Sequence, residues 1–178
     1  MNGNLAFDFS VNRENKTITV KREFAAELPL VWDAYTKSEI LDQWWAPKPW
    51  KTRTKTMDFR EGGHWLYAMI GPTGDMIGPE GEEIWSLTNY DEIQVQKKLT
   101  GYDAFADEDG NVNKDLPQSK WEITFTDKGQ VTLVECLISY DDLAQLDATI
   151  QMGFKEGFTT AMEGLDELLI SLKRQVST

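Results

Sequence analysis

Near the N-terminus apolar side chains fall on alternate positions: Leu5, Phe7, Phe9 and Val11, then Ile18 and Val20 beyond a polar break at Arg13-Glu-Asn15. A period of two puts each run's apolar side chains on one face, so the pattern predicts a β-hairpin. Pro29 then suits the first turn of a helix, and Leu30, Val31, Ala34 and Tyr35 share one helical face. Ser38 is placed to cap a second short helix through Ile40, Leu41, Trp44 and Trp45, which Pro47 and Pro49 end. From 51 to 140 the two-residue period returns. Strands are expected over 52–59, 64–70, 82–88, 93–102, 119–127 and 131–140. Turn signals at Glu61-Gly-Gly63, Gly71-Pro-Thr-Gly74 and Asp127-Lys-Gly129 punctuate them. Segment 103–118 has no period and reads as an acidic loop of about sixteen residues, a length uncommon in a compact domain and often functional.

The end of the chain changes period. Leu143, Leu146, Ile150, Phe154, Phe158, Ala161, Met162, Leu165, Leu168, Leu169 and Leu172 recur at three- and four-residue spacing. The spacing predicts one long amphipathic helix over 141–172. Gly153, Gly157 and Gly164 lower its helix propensity, which makes sense where the backbone closely approaches other atoms. No repeat or low-complexity tract divides the chain, so 1–178 reads as one domain, with 1–15 as an N-terminal extension strand. A sheet of this size must have one face covered, and only the C-terminal helix is long enough. The expected class is α+β: a curved antiparallel sheet around a long C-terminal helix, with two short helices after the first core strand.

Composition narrows the function classes. Thirty acidic against eighteen basic residues leave a net charge of −12 in 178 residues, the wrong sign for tracking a phosphate backbone; no nucleic-acid partner is expected. Seven Trp, eight Phe and five Tyr are enough for a substantial core and too many for a disordered acidic chain. The longest uncharged run, 62–74, falls short of the ~20 apolar residues of a membrane span. With no basic, apolar leader before Asp8 and a lone cysteine, Cys136, a cytoplasmic protein is expected.

The candidate chemistry is sparse. His64 is the only histidine, which excludes histidine triads and multi-histidine metal sites. As a general acid or base it would need Glu83 or Tyr67 as partner; otherwise its alternation with Trp65, Tyr67 and Met69 puts it on the outer sheet face. Asp107, Asp109 and Asn111 have the spacing of a calcium loop, but its sixth and twelfth positions are Val112 and Gln118 rather than Gly and Glu. Cys136 shares parity with Val134 and Ile138, as a packed thiol would. No phosphate loop, Cys-x-x-Cys or Gly-x-Ser-x-Gly occurs; neither metal nor cofactor is expected. The aromatic residues carry more information. Trp65, Tyr67 and Met69 form one strand stripe; Trp121, Ile123 and Phe125 another; Phe154, Phe158 and Met162 a helical one. Core packing accounts for most of them.

Several segments occur together in a familiar order: Val31-Trp-Asp-Ala-Tyr-Thr36, Leu41-Asp-Gln-Trp-Trp-Ala-Pro47, Met57-Asp-Phe-Arg-Glu-Gly-Gly63 with Trp65 and Tyr67, and Gly153-Phe-Lys-Glu-Gly-Phe158 leading to Leu165-Asp-Glu-Leu-Leu169. Over roughly 16–172 the chain resembles the START-like SRPBCC superfamily, in the branch similar to the C-terminal domain of the activator of heat-shock protein 90 ATPase. The resemblance implies a helix-grip fold with a hydrophobic cavity between sheet and helix. It places Trp45, Trp65, Tyr67, Met69, Trp121, Phe154, Phe158 and Met162 as the ligand-binding set, with Trp44 and Trp45 at the mouth. Noncatalytic binding of a small hydrophobic or aromatic ligand is then the leading expectation. A cyclase- or aromatase-like enzyme using Tyr67, Glu83 and His64 in the same cavity is one alternative. A protein that contacts a chaperone and modulates its ATPase is the other; the co-chaperone's additional N-terminal domain has no counterpart in these residues. No membrane partner is expected, and monomer and homodimer are equally compatible with the sequence.

Overall fold

The computed structural model describes residues 5–72 and 82–176. A hairpin of β1 (Phe7–Asn12) and β2 (Thr17–Phe24) leads to α1 (Leu28–Thr36) and α2 (Ser38–Trp44). Six strands follow: β3 (Lys51–Asp58), β4 (His64–Ile70), β5 (Glu83–Gln94), β6 (Lys98–Ala106), β7 (Gln118–Asp127) and β8 (Thr132–Ser139). The chain ends in α3 (Leu143–Gln151) and α4 (Phe154–Val176). All neighbouring strands pair antiparallel in one curved sheet of order β1-β2-β8-β7-β6-β5-β4-β3. This is the expected α+β helix-grip arrangement. No helix among the described residues is long and apolar enough to cross a membrane.

The covered face follows from strand parity. Ile18 and Val20 of β2, Ile123 and Phe125 of β7, and Val134, Cys136 and Ile138 of β8 are all buried. Against them α4 presents Phe158, Ala161, Met162, Leu165 and Leu169 at helical spacing, each no more than 6 % exposed. Complete burial of a Leu or Phe side chain contributes roughly 1.5–3 kcal/mol, so this stripe holds the helix to the sheet. Trp32, Tyr35 and Trp44 close one end, and the indole N–H of Trp44 donates to the Ala34 carbonyl at 2.9 Å, joining α2 to α1. Lys37, not Ser38, is the cap residue of α2, and no side chain caps that end.

Three further expectations are corrected. The C-terminal helix is not continuous over 141–172. It breaks at Met152-Gly153, where Gly153 has φ +86°, a left-handed conformation that glycine adopts without a Cβ penalty. The expected strand 93–102 is split by a turn at Val95–Lys97, with Gln96 at φ 61°. Ile93 and Gln94 belong instead to β5, which continues past Asn89-Tyr-Asp91 through an irregularity between Tyr90 and Ile93. The Tyr90 backbone is held there by two 3.0 Å hydrogen bonds, accepting from Gly62 N–H and donating to Gly63 C=O. Finally, Asp103 to Ala106 are strand, not loop, because β6 extends to Ala106. The shortened loop is organised by Asp107, whose carboxylate accepts from the backbone N–H groups of Asp109 and Asn111 and from the Asn111 side chain. Of the Gly71–Gly74 turn, Thr73 and Gly74 lie outside the described residues.

Candidate functional site

The helical path breaks at Gly153, and Thr149, Met152, Gly153 and Phe154 around the break line one side of a space over the sheet. That space is a cavity of about 270 Å³. Its floor is the concave face of β4 to β7, with Tyr67, Ser86, Asp103, Phe105 and Trp121; its roof is Thr149, Met152, Phe154 and Phe158. Gly157 also lines it, facing the Pro47 ring at a distance where a Cβ would make an ordinary 3.6 Å contact.

Trp45 organises the aromatic wall. Its ring lies 5.7 Å from Trp65, 6.0 Å from Trp121 and 5.8 Å from Phe158. These tilted and edge-to-face arrangements suit the aromatic quadrupole. Its indole N–H donates to the Tyr67 hydroxyl at 3.1 Å. Trp65 stacks on Tyr67 with ring centroids 3.9 Å apart and donates to Thr54 Oγ1 at 2.9 Å. Phe154 and Phe158 stack at 5.3 Å across one helical turn. A second, smaller cavity of about 50 Å³ lies toward the core, lined by Tyr35, Thr88, Tyr90 and Thr100, and shares Trp45, Asp103 and Trp121 with the larger one. That is room for ordered water. The Tyr35 hydroxyl in this wall is buried with no hydrogen-bond partner.

Asp103 is the polar centre of the arrangement. It faces both cavities and accepts a 2.9 Å hydrogen bond from the Thr88 hydroxyl. Burial disfavours its charged form and pushes the carboxyl up to about 7, against the smaller opposing effect of the Thr88 bond. Tyr67, Tyr90 and Tyr140 are likewise raised, chiefly by burial and in part by the nearby Asp103 charge. No Lys, Arg or His is among the described residues lining either cavity.

The residues expected from sequence divide. Trp45, Tyr67, Met69, Trp121, Phe154 and Phe158 line the larger cavity. Trp65 lines the smaller one instead. Met162, one helical turn beyond Phe158, and Trp44, expected at the mouth, are 1 % and 2 % exposed; both are packed in the core and line neither cavity. The set Tyr67, Glu83 and His64 does not converge. His64 pairs across with Asn89 and Glu83 with Ile70, at opposite ends of β4. His64 Nε2 shares a 2.9 Å hydrogen bond with Thr56 Oγ1, and Arg53 holds the Glu83 carboxylate at 3.1 Å. Only Tyr67 reaches the cavity. Asp103 falls outside the expected set because the sequence pattern puts it in the 103–118 loop. Its signal was strand parity: Leu99, Gly101, Asp103 and Phe105 alternate without interruption.

Comparisons with known proteins agree with this architecture. Residues 25–170 match the family described as Activator of Hsp90 ATPase homolog 1-like protein. The crystal structure of protein Ms6760 from Mycobacterium smegmatis is 26 % identical, with a TM-score of 0.81, over 94 % of this chain and 99 % of that one. A solution structure of an Arthrobacter aurescens protein is 24 % identical, with a TM-score of 0.82, over 92 % of this chain and 91 % of that one. The AHSA1 protein of Silicibacter pomeroyi shares the fold at 17 % identity and a TM-score of 0.63, over 86 % of this chain and 97 % of that one. None of the curated proteins is significantly similar to it.

Proposed function

The chain belongs to the Activator of Hsp90 ATPase homolog 1-like family, and from that premise we propose that it is a noncatalytic binding module for a small hydrophobic or aromatic molecule. The observation that carries this reading is the cavity of about 270 Å³ beneath the α3–α4 corner, walled by Trp45, Tyr67, Trp121, Phe154 and Phe158. Apolar lining with a few convergent polar groups is the ordinary composition of small-molecule sites. The volume suits a one- or two-ring ligand. The enzyme alternative loses its support with the separation of His64 and Glu83 from the cavity.

Titration of the full chain with the neutral fluorescent probe N-phenylnaphthylamine, alongside native mass spectrometry of freshly purified protein, tests the proposal. Saturable binding of one probe per chain is expected, abolished in Thr149→Trp, which fills the cavity from its α3 side. Unsaturable binding, or binding unchanged in Thr149→Trp, would overturn it.

A further inference from the structure

The cavity's charge is one-sided. Asp103 is the only carboxyl among the described residues of the wall, and every other one is apolar, aromatic, hydroxyl-bearing or glycine. A carboxylate offers about four lone-pair sites. Here Thr88 supplies one hydrogen bond, and among the described residues no salt bridge reaches Asp103. The titratable groups facing it are the phenols of Tyr67 on β4, Tyr90 on β5 and Tyr140 after β8, none of which supplies positive charge. Ser119 is its partner across β7, and Thr149 faces it from α3. A half-buried carboxylate so poorly compensated is costly in its charged form unless a bound group completes its shell.

We infer that the ligand of this cavity is a protonated amine on an aromatic or alicyclic body, with Asp103 as its counter-ion. The inference rests on the binding reading above and adds the substrate class. An ammonium within hydrogen-bond reach of Asp103 gains a charge-assisted bond in a water-poor site. Trp45, Tyr67 and Trp121, aromatic side chains of the kind that attract cations, line the same cavity. A neutral alcohol would fill one lone pair and leave the charge uncompensated. A carboxylate ligand would meet Asp103 with no cation in the described wall to receive it. The net charge of −12 works in the same direction, drawing cations toward the protein.

The test is calorimetric titration of the full chain with three matched probes: naphthylmethylamine, naphthylmethanol and naphthoate. At about pH 8 the amine is expected to bind roughly tenfold or more tightly than the alcohol, and naphthoate weakest of the three. In Asp103→Asn, which keeps the Thr88 bond, the amine's advantage should fall to within about twofold. In the wild type the same advantage should shrink as pH drops to about 5.5, because protonating Asp103 removes the counter-ion while the amine stays charged. This second readout stands if the variant does not fold. Equal binding of amine and alcohol in the wild type, or an amine preference that persists in Asp103→Asn, overturns the inference while leaving the binding reading intact. Failure of all three probes to bind, or binding that Thr149→Trp does not block, overturns both.

Discussion

The Asp103 carboxylate accepts a hydrogen bond of 2.9 Å from the hydroxyl of Thr88, its direct partner across the β5–β6 pair, and both line the small inner cavity. A polar pair set between Trp45, Tyr90 and Trp121 is an arrangement that core stability alone would not select. The bond satisfies one lone pair and orients the other oxygen, while burial holds the carboxyl up to about 7.

The pH dependence of stability follows from that shift. A carboxyl whose folded pKa lies above its unfolded value near ~3.9 binds more protons in the native state across the interval between them. Its contribution therefore makes the protein less stable as pH rises from about 4 toward 7. Asp103→Asn is expected to be more stable than wild type at about pH 8, by something of order 2 kcal/mol, and the difference should vanish in mild acid. Urea denaturation of both proteins across this range checks it. An Asn variant less stable at about pH 8 would show that Asp103 has a stabilising partner.

Two positions on α4 separate cavity from core. Leu165 is 0 % exposed, and Leu165→Ala should cost ~2–5 kcal/mol. Phe158 is nearly as buried, but one flank faces the cavity, so fewer contacts are lost and Phe158→Ala should cost below ~3 kcal/mol while changing probe affinity. Equal destabilisation with unchanged affinity would move the ligand site elsewhere.

Gly153 sets the corner that roofs the cavity. At φ +86° an alanine is strained, and Gly153→Ala should destabilise by roughly 1–2 kcal/mol. It should also weaken probe binding, because the break between α3 and α4 holds Met152 and Phe154 over the space. Thermal unfolding and probe titration read the two effects separately.

His64→Ala and Glu83→Gln serve as controls. Both side chains lie off the cavity, in hydrogen bonds to Thr56 and Arg53. Each variant should change stability by no more than about 0.5 kcal/mol and leave probe affinity unaltered. A binding defect in either would restore the set rejected on geometry.

Cys136 is buried on β8, and burial pushes its thiol up to about 12. It should resist alkylation in the native protein at about pH 8 and react fully once the chain is unfolded, because only the thiolate attacks. Rapid native labelling followed by mass spectrometry would contradict the buried position.

Local periodicity was enough for the α+β class, the opening hairpin, the paired short helices and the covered face of the sheet. The reason is that strand parity and helical spacing decide which side chains point the same way, wherever the rest of the chain lies. Alternation likewise put His64 opposite Trp65 and Tyr67. The misread places are those where local signals conflicted with distant contacts. Nothing in Val95-Gln-Lys97 resembles a usual turn, yet the chain reverses there so that β6 can pair with β5. Asn89-Tyr-Asp91 resembles a turn, yet it stays in β5 because Tyr90 is buried against Phe59, 4.9 Å away. The Ile150, Phe154 and Phe158 spacing ran through Gly153 as though the helix were continuous. Above all, a stripe of aromatic residues looks the same in sequence whether it meets another stripe or faces a void. Trp121 and Phe158 meet edge to face at 5.8 Å, and that about 270 Å³ stays open beside them depends on the placement of elements far apart in the chain. No local period encodes that placement, so only the tertiary structure could put Asp103 at the cavity.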